Sequence, residues 1–284
     1  MRSDNLRILF FGDITGRQGR IAVKSYIASL NENKPDFIIA NIENASHGFG
    51  LTKKNYQDLS TVIDCFTSGN HIWDKKDIYE YIDEVNNLVR PINYPTGTRG
   101  CGCQIFEVQG RKLAIINALG RVFMPPIDSP WEIVTREIDL LIEQGVDSIF
   151  IDFHAEATAE KICFSKYLAK KYNSEEKAII KGFFGTHTHV QTADEKIYCG
   201  MGYITDAGFC GADDSVIGME FQTSFRRLST SLPERYEIAE TSIAQLNGVE
   251  ILIEGNFATQ IKRINLIVDN NKNESEAKGE RDGC

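Results

Sequence analysis

Short apolar runs rich in β-branched and aromatic residues alternate along this chain with segments whose apolar positions recur every three or four residues. The runs Arg7-Phe11, Asp36-Ala40, Cys65-Thr67, Leu113-Asn117, Ser148-Phe153, Lys181-Gly185 and Tyr203-Thr205 predict buried strands. Between them Val23/Ile27/Leu30, Tyr56/Leu59/Ile63 and Ile78/Ile82/Val85 each form one apolar stripe of a helix, with Thr52 and Asp74 as expected N-caps. Ser129-Pro130-Trp131-Glu132 predicts a helix start by a capping Ser, a first-turn Pro and a Glu able to reach back. Val134, Ile138 and Leu141 continue its stripe and Gly145 ends it. This alternation is the signature of an α/β core.

After residue 218 the pattern changes. Phe221-Leu228, Tyr236-Ala239, Val249-Ile253 and Gln260-Val268 predict a strand-rich antiparallel region, with Asn247-Gly248 as a hairpin turn. Residues 1–269 are expected to form one domain. The charged and polar tail 270–284 buries too little to offset its ordering entropy and is expected to be mobile.

The 284 residues, 42% hydrophobic, suffice for a sizeable core, and no apolar run is long enough to span a membrane. Seven cysteines, an odd number without a disulfide rhythm, favour a reducing cytoplasm. Cys101-Gly-Cys103 lacks the second pair that a zinc site needs. A net charge of -9 argues against an extensive nucleic-acid footprint but leaves room for a small phosphate-bearing substrate, because bound metal can supply local positive charge.

Potential metal ligands fall where apolar strands end. Asp13 follows Phe10-Phe11-Gly12, Glu43-Asn44 follow Ile39-Ile42, and Asn70-His71 follow Ser68-Gly69. His154 follows Asp152-Phe153, and His187-Thr188-His189 follow Gly185-Thr186. In open α/β sheets the carboxyl ends of strands line the ligand crevice, so residues distant in sequence can meet there. Singly, a carboxylate after a strand is more often a helix cap, and a buried histidine is more often a hydrogen-bonded core residue. Together, Asp13, Glu43, Asn44, Asn70, His154, His187 and His189 form a mixed oxygen and nitrogen donor set that suits Mn, Fe or Zn. They are too many for one catalytic ion but fit a pair roughly 3.5–4 Å apart.

These residues resemble the YmdB-like branch of the calcineurin-like metallophosphoesterases. The resemblance is carried by Gly-Asp at 12–13, IEN at 42–44, GNHIWDKK at 69–76, DFHAEAT at 152–158 and GTHTHVQTAD at 185–194. It continues through YITDAGFCG at 203–211, DSVIGM at 214–219 and LPERYEIA at 232–239. Asp13-Ile14-Thr15 and Glu43-Asn44 depart from the Asp-x-His and Asp of the broad superfamily in the way this branch does. The resemblance implies a four-layer αββα sandwich. It also implies one ion, Fe or Mn with Zn as a further option, on Asp13, Glu43, Asn44 and His189, and a second on Glu43, Asn70, His154 and His187. Glu43 would bridge them, Asn44 would replace the missing histidine ligand, and His71 would act as general acid.

The implied reaction is hydrolysis of cyclic nucleotides, most specifically 2',3'-cyclic nucleotides to 3'-nucleotides, by a metal-activated hydroxide. A phosphomonoesterase or nucleotidase, and a non-enzymatic metal-stabilised regulator of RNA processing, are the competing readings. The resemblance also implies a homo-oligomer. Asp74 lies three residues beyond His71 and could orient it, although a capping role suffices to explain it. Arg90 and Arg121 are phosphate-gripping candidates for which an ordinary loop role is commoner, and His47 is expected to be an exposed loop histidine. Gly12, Gly16 and Gly19 match no phosphate-loop pattern and are expected to serve the turn beyond Asp13.

Overall fold

The computed structural model describes residues 5–271; the expected tail, apart from its first residues, lies outside them. Strands and helices are numbered in chain order. One sheet contains β1 (Asn5–Phe11), β2 (Asp13–Ile14), β3 (Phe37–Asn41), β4 (Cys65–Thr67), β11 (Phe209–Ala212), β12 (Ile243–Glu254) and β13 (Phe257–Asp269). The other contains β5 (Cys103–Val108), β6 (Arg111–Leu119), β7 (Ser148–His154), β8 (Ile180–Thr186), β9 (Lys196–Tyr198) and β10 (Met201–Ile204).

Period-two alternation sorts the side chains of these strands into three cores. On β1, Leu6, Ile8 and Phe10 point between the sheets, where Phe10 stacks on Phe184 of β8 at 4.4 Å. Leu9 and Phe11 point outward to the first sheet's helices, α1 (Gly16–Ser29), α2 (Lys53–Leu59) and α3 (Ile78–Tyr81). On β7, Ile149, Ile151 and Phe153 face α4 (Pro130–Glu143) and α5 (Thr158–Tyr172) on the second sheet's outer side. The layer order is helix, sheet, sheet, helix. None of the described helices is long and apolar enough to cross a membrane.

Both sheets have parallel cores: β1, β3 and β4 run together, as do β6, β7, β8 and β10. Their carboxyl ends therefore share one side of each sheet, which is what assembles residues from distant positions.

The C-terminal region corrects several expectations. Phe221-Leu228 is part of α6 (Phe221–Thr230), whose first turn is capped by the Glu220 carboxylate at 2.7 Å from both Gln222 N and Thr223 N. Its aromatic residues gave a strand-like composition, but they are spaced as a helical stripe. Tyr236-Ala239 contributes only an isolated bridge from Ile238 to Met219. Asn247-Gly248 is not a turn. It lies inside β12, at the point where that strand stops pairing with β11 and begins pairing with β1. A side chain at Gly248 would meet Phe10 O at 2.4 Å, so this glycine serves close backbone approach, and the chain reverses instead after Glu254 at Gly255, φ +57°.

Among the helices, Thr52 caps α2 through a bond from Asn55 N, whereas Ser129 occupies the cap position of α4 without a side-chain bond. Ile63 lies beyond α2, and α3 starts at Ile78 after Asp77, so Asp74 is not its cap. Gly12 and Gly19 press against Gly208 O and Cys210 O, so they permit packing against β11 as well as the turn into α1.

Candidate metal centre and its pocket

Every residue of the expected ligand set lies at the carboxyl end of its strand, and the set converges. Asp13 opens β2 just past β1, Glu43 and Asn44 follow β3, Asn70 follows β4, His154 ends β7, and His187 and His189 follow β8. Asp13, Glu43, Asn44, His154 and His189 are buried.

His154 Nε2 lies 3.2 Å from Glu43 Oε2, 3.0 Å from Asn70 Oδ1 and 3.1 Å from His187 Nδ1. On the other side of Glu43, Asn44 Nδ2 donates to Oε1 at 2.9 Å and lies 3.1 Å from His189 Nε2. Ligand atoms of Glu43, His154 and His187 lie within 4.8 Å of one another, as do those of Asp13, Glu43 and His189. Glu43 thus belongs to both groups, and its two oxygens face different neighbours, Oε2 His154 and Oε1 Asn44. Gly69 is required by this crowding, since a Cβ there would stand 2.2 Å from Glu43 Oε2 and 2.4 Å from His154 Nε2.

Each imidazole is oriented from behind. His154 Nδ1 donates to Thr186 Oγ1 at 2.9 Å, and that hydroxyl donates to buried Asp152 Oδ1 at 2.7 Å. His189 Nδ1 donates to Ile217 O at 2.9 Å, which leaves its Nε2 lone pair facing the cluster. His187 Nε2 lies 3.2 Å from Glu156 Oε2, so its Nδ1 faces inward. Such outer partners fix the tautomer and direction of metal-ligating histidines.

His187 and His189 both have left-handed backbones, φ +99° and +64°. Thr188 between them is held by Asp206 Oδ2, which accepts from its N at 3.2 Å and its Oγ1 at 2.7 Å. The same oxygen accepts from buried Lys161 Nζ at 2.7 Å.

Removal of so many charges from water perturbs them strongly. Burial raises the Asp13 carboxyl well above its usual range against the opposing pull of His154. Burial would also raise Glu43, but the charge and hydrogen bond of His154 outweigh it and hold that carboxyl well below normal. For His154 burial acts downward, and Glu43 reverses it, pushing the imidazole up to about 9. Burial, reinforced by His154, pushes His187 down to about 3, and burial lowers His189.

His71 stands beside the cluster. Its backbone N donates to Glu43 Oε2 at 3.2 Å, its ring meets Phe49 edge-on at 5.0 Å, and its Nδ1 lies 2.9 Å from Asp74 Oδ2. A cavity of about 380 Å³ opens from Glu43, Asn44, His71, His187 and His189 toward Phe49, Met219, Ser224, Leu228 and Tyr236.

The other candidates are not among the residues that line this cavity. Arg90 is buried and braces its own loop through the carbonyls of Pro91, Thr98, Arg99 and Gly100. Arg121 and His47 are exposed, and Cys101 and Cys103 are half-buried free thiols.

Sequence reasoning missed the supporting residues Asp152, Thr186, Glu156, Lys161 and Asp206. Strand geometry carried a signal for two of them: Asp152 precedes His154 by two residues and so shares its face of β7, and Thr186 pairs with His154 in register. Of the cavity wall, Ser224 falls in the stretch expected to be strand, and Ile217 and Met219 lie just before it.

Residues 9–264 match the model of the YmdB-like protein family. The chain is 45% identical over 267 residues to the 2',3'-cyclic-nucleotide 2'-phosphodiesterase of Bacillus subtilis, covering 91% of this chain and 96% of that protein. Among solved structures it is similar to a protein of Thermus thermophilus, with TM-score 0.84, 34% identity and coverage of 92% of this chain and 99% of that one. A novel phosphatase of Mycoplasma pneumoniae is also similar, with TM-score 0.84, 31% identity and coverage of 95% and 96%.

Proposed function

This chain belongs to the YmdB-like family, and on that premise we propose that it is a dinuclear-metal phosphodiesterase that opens 2',3'-cyclic nucleotides to 3'-nucleotides. The observation that supports this most is the two-sided environment of Glu43, which belongs to both donor groups and whose two oxygens face different neighbours.

The residues fit a pair of ions. Among the described residues Asp13 Oδ1 is buried without a hydrogen-bond partner, an unfavourable state that coordination would relieve, and Asn44, whose Nδ2 faces Glu43 Oε1 and His189 Nε2, would ligate through Oδ1 once its amide is turned over. Asp13, Glu43, Asn44 and His189 would hold one ion, and Glu43, Asn70, His154 and His187 the other. The mixed donor set suits Fe or Mn, with Zn as an alternative. When bound, such ions supply Lewis acidity that lowers the pKa of water and offsets charge developing on phosphoryl oxygens.

The protein's own groups complete the reaction. Asp74 accepts from His71 Nδ1, so Nε2 is the atom left to deliver a proton to the departing ribose 2' oxygen. Thr186, Glu156 and the Ile217 carbonyl hold three imidazoles in the direction that keeps their lone pairs inward. The free cysteines among the described residues accord with a cytoplasmic enzyme.

The test combines metal analysis with parallel assay of 2',3'-cyclic AMP, 3',5'-cyclic AMP and a 5'-nucleotide. The reading expects about two ions per chain and preferential conversion of 2',3'-cyclic AMP to 3'-AMP. Preferential release of phosphate from the 5'-nucleotide would overturn it in favour of a nucleotidase.

A further inference from the structure

The wall of the cavity opposite the metal cluster has a different chemistry. It is built by the connection between β11 and β12, which carries α6, and by Phe49 from the loop after β3. Phe49, Ile217, Met219, Leu228 and Tyr236 make this side apolar. Arg227 lies over the Tyr236 ring at 4.7 Å and donates to Glu234 O at 2.9 Å, which fixes that aromatic surface.

One polar group interrupts the wall. Ser224 is 1% exposed, lines the cavity, and its Oγ has no hydrogen-bond partner among the described residues. Helical hydroxyls ordinarily bond back to a carbonyl of the preceding turn. Other hydroxyls of α6 do so: Thr223 Oγ1 donates to Glu220 O at 3.0 Å and Ser229 Oγ to Phe225 O at 2.7 Å. Ser224 leaves that bond unmade in a place where an unmet hydroxyl is unfavourable.

We propose that this wall is a nucleobase subsite in which the apolar side chains receive the base faces and Ser224 Oγ hydrogen-bonds the base edge. The proposal rests on the phosphodiesterase reading and names how that substrate is held. A hydroxyl both donates and accepts and rotates freely, so it can meet a ring nitrogen, an amino group or a carbonyl. The subsite therefore recognises that a base is present without selecting which one. Aromatic and apolar surfaces act in the same way, because every base has a π-face.

The experiment compares 2',3'-cyclic AMP and 2',3'-cyclic UMP with the 2',3'-cyclic phosphate of methyl β-ribofuranoside, which has the same reacting diester and no base. The wild type should prefer both nucleotides over the base-free diester, chiefly through KM. Ser224→Ala should shrink that preference by about three- to tenfold, as expected for one hydrogen bond, and by a similar factor for both bases. Leu228→Asp, at an exposed position that should tolerate the change, should shrink it further. No preference in the wild type, or a preference unmoved by both variants, would overturn the subsite. If the wild type hydrolyses none of the three compounds, the phosphodiesterase reading fails by itself. Calorimetric binding of 2',3'-cyclic AMP against the base-free diester then decides the subsite: tighter nucleotide binding that weakens in Ser224→Ala supports it, and equal binding overturns it.

Discussion

Asp74 Oδ2 lies 2.9 Å from His71 Nδ1, and this pairing, not a helix cap, is where the Asp74 side chain is engaged. If His71 delivers the proton to the leaving oxygen, His71→Ala should lower kcat by about 10²–10⁴-fold while metal content stays at the wild-type level. Asp74→Asn should produce a smaller loss in the same direction, since the imidazole remains but loses the carboxylate that orients it. Steady-state kinetics on metal-analysed protein checks both.

Glu43 is shared by the two donor groups, so its replacement should not resemble that of a residue serving one group. Glu43→Gln is expected to lower the content of both ions, whereas Asn70→Ala should chiefly affect one. Mass spectrometric metal analysis after gel filtration distinguishes these outcomes.

Metal uptake should become tighter as pH rises. In the metal-free protein His154 is pushed up to about 9 by Glu43, so through the neutral range it carries a proton that an incoming ion must displace. His187, pushed down to about 3, carries none there. Below the folded pKa of His154, displacement of one proton gives about a tenfold gain in affinity per pH unit. Mn²⁺ titration of metal-free protein at pH 6, 7 and 8, in buffers of different ionisation enthalpy, measures the affinity and the proton release together. Without metal the sign is opposite: the raised His154 pKa contributes stability below its unfolded value near 6.5, and that contribution is lost as pH rises through about 9.

Thr186 links His154 to Asp152 without itself facing the cluster as a ligand. Thr186→Val keeps the shape and removes the link. Metal affinity should fall by roughly 10–100-fold, the usual effect of losing such a partner, with little change in the far-ultraviolet circular dichroism spectrum.

Lys161 and Asp206 form an ion pair with each side chain 1% exposed. Lys161→Met would leave the Asp206 charge buried without its cation, at a stability loss of roughly 3–5 kcal/mol. Denaturant unfolding measures it, and a change below about 1 kcal/mol would contradict a charged pair at this position.

The strand ends were legible because buried parallel strands leave long apolar runs, and a polar residue directly after such a run stands out. Asp13, Glu43, His154 and the His187-Thr188-His189 loop stand out in this way. Their supports were less visible. Asp152 and Thr186 look like ordinary polar interruptions until register brings them together, and Lys161 with Asp206 meets across a separation of 45 residues. The role of Asp74 depended on whether α3 began at residue 75 or 78, a difference that periodicity does not resolve. In the C-terminal part, aromatic content outweighed spacing in α6, and the Asn-Gly pair suggested a turn where β12 instead changes partners.

The segment joining β11 to β12 carries both the Ile217 carbonyl that aims His189 and the Met219, Ser224 and Leu228 side chains of the cavity wall. If His189 holds an ion and this wall holds the base, metal retention and substrate choice are not separable traits of this chain. Grafting that segment from a relative to alter selectivity would also re-aim an imidazole, so selection among such chimeras must screen for metal loading before turnover. Random substitution there should yield variants in which the two properties change together.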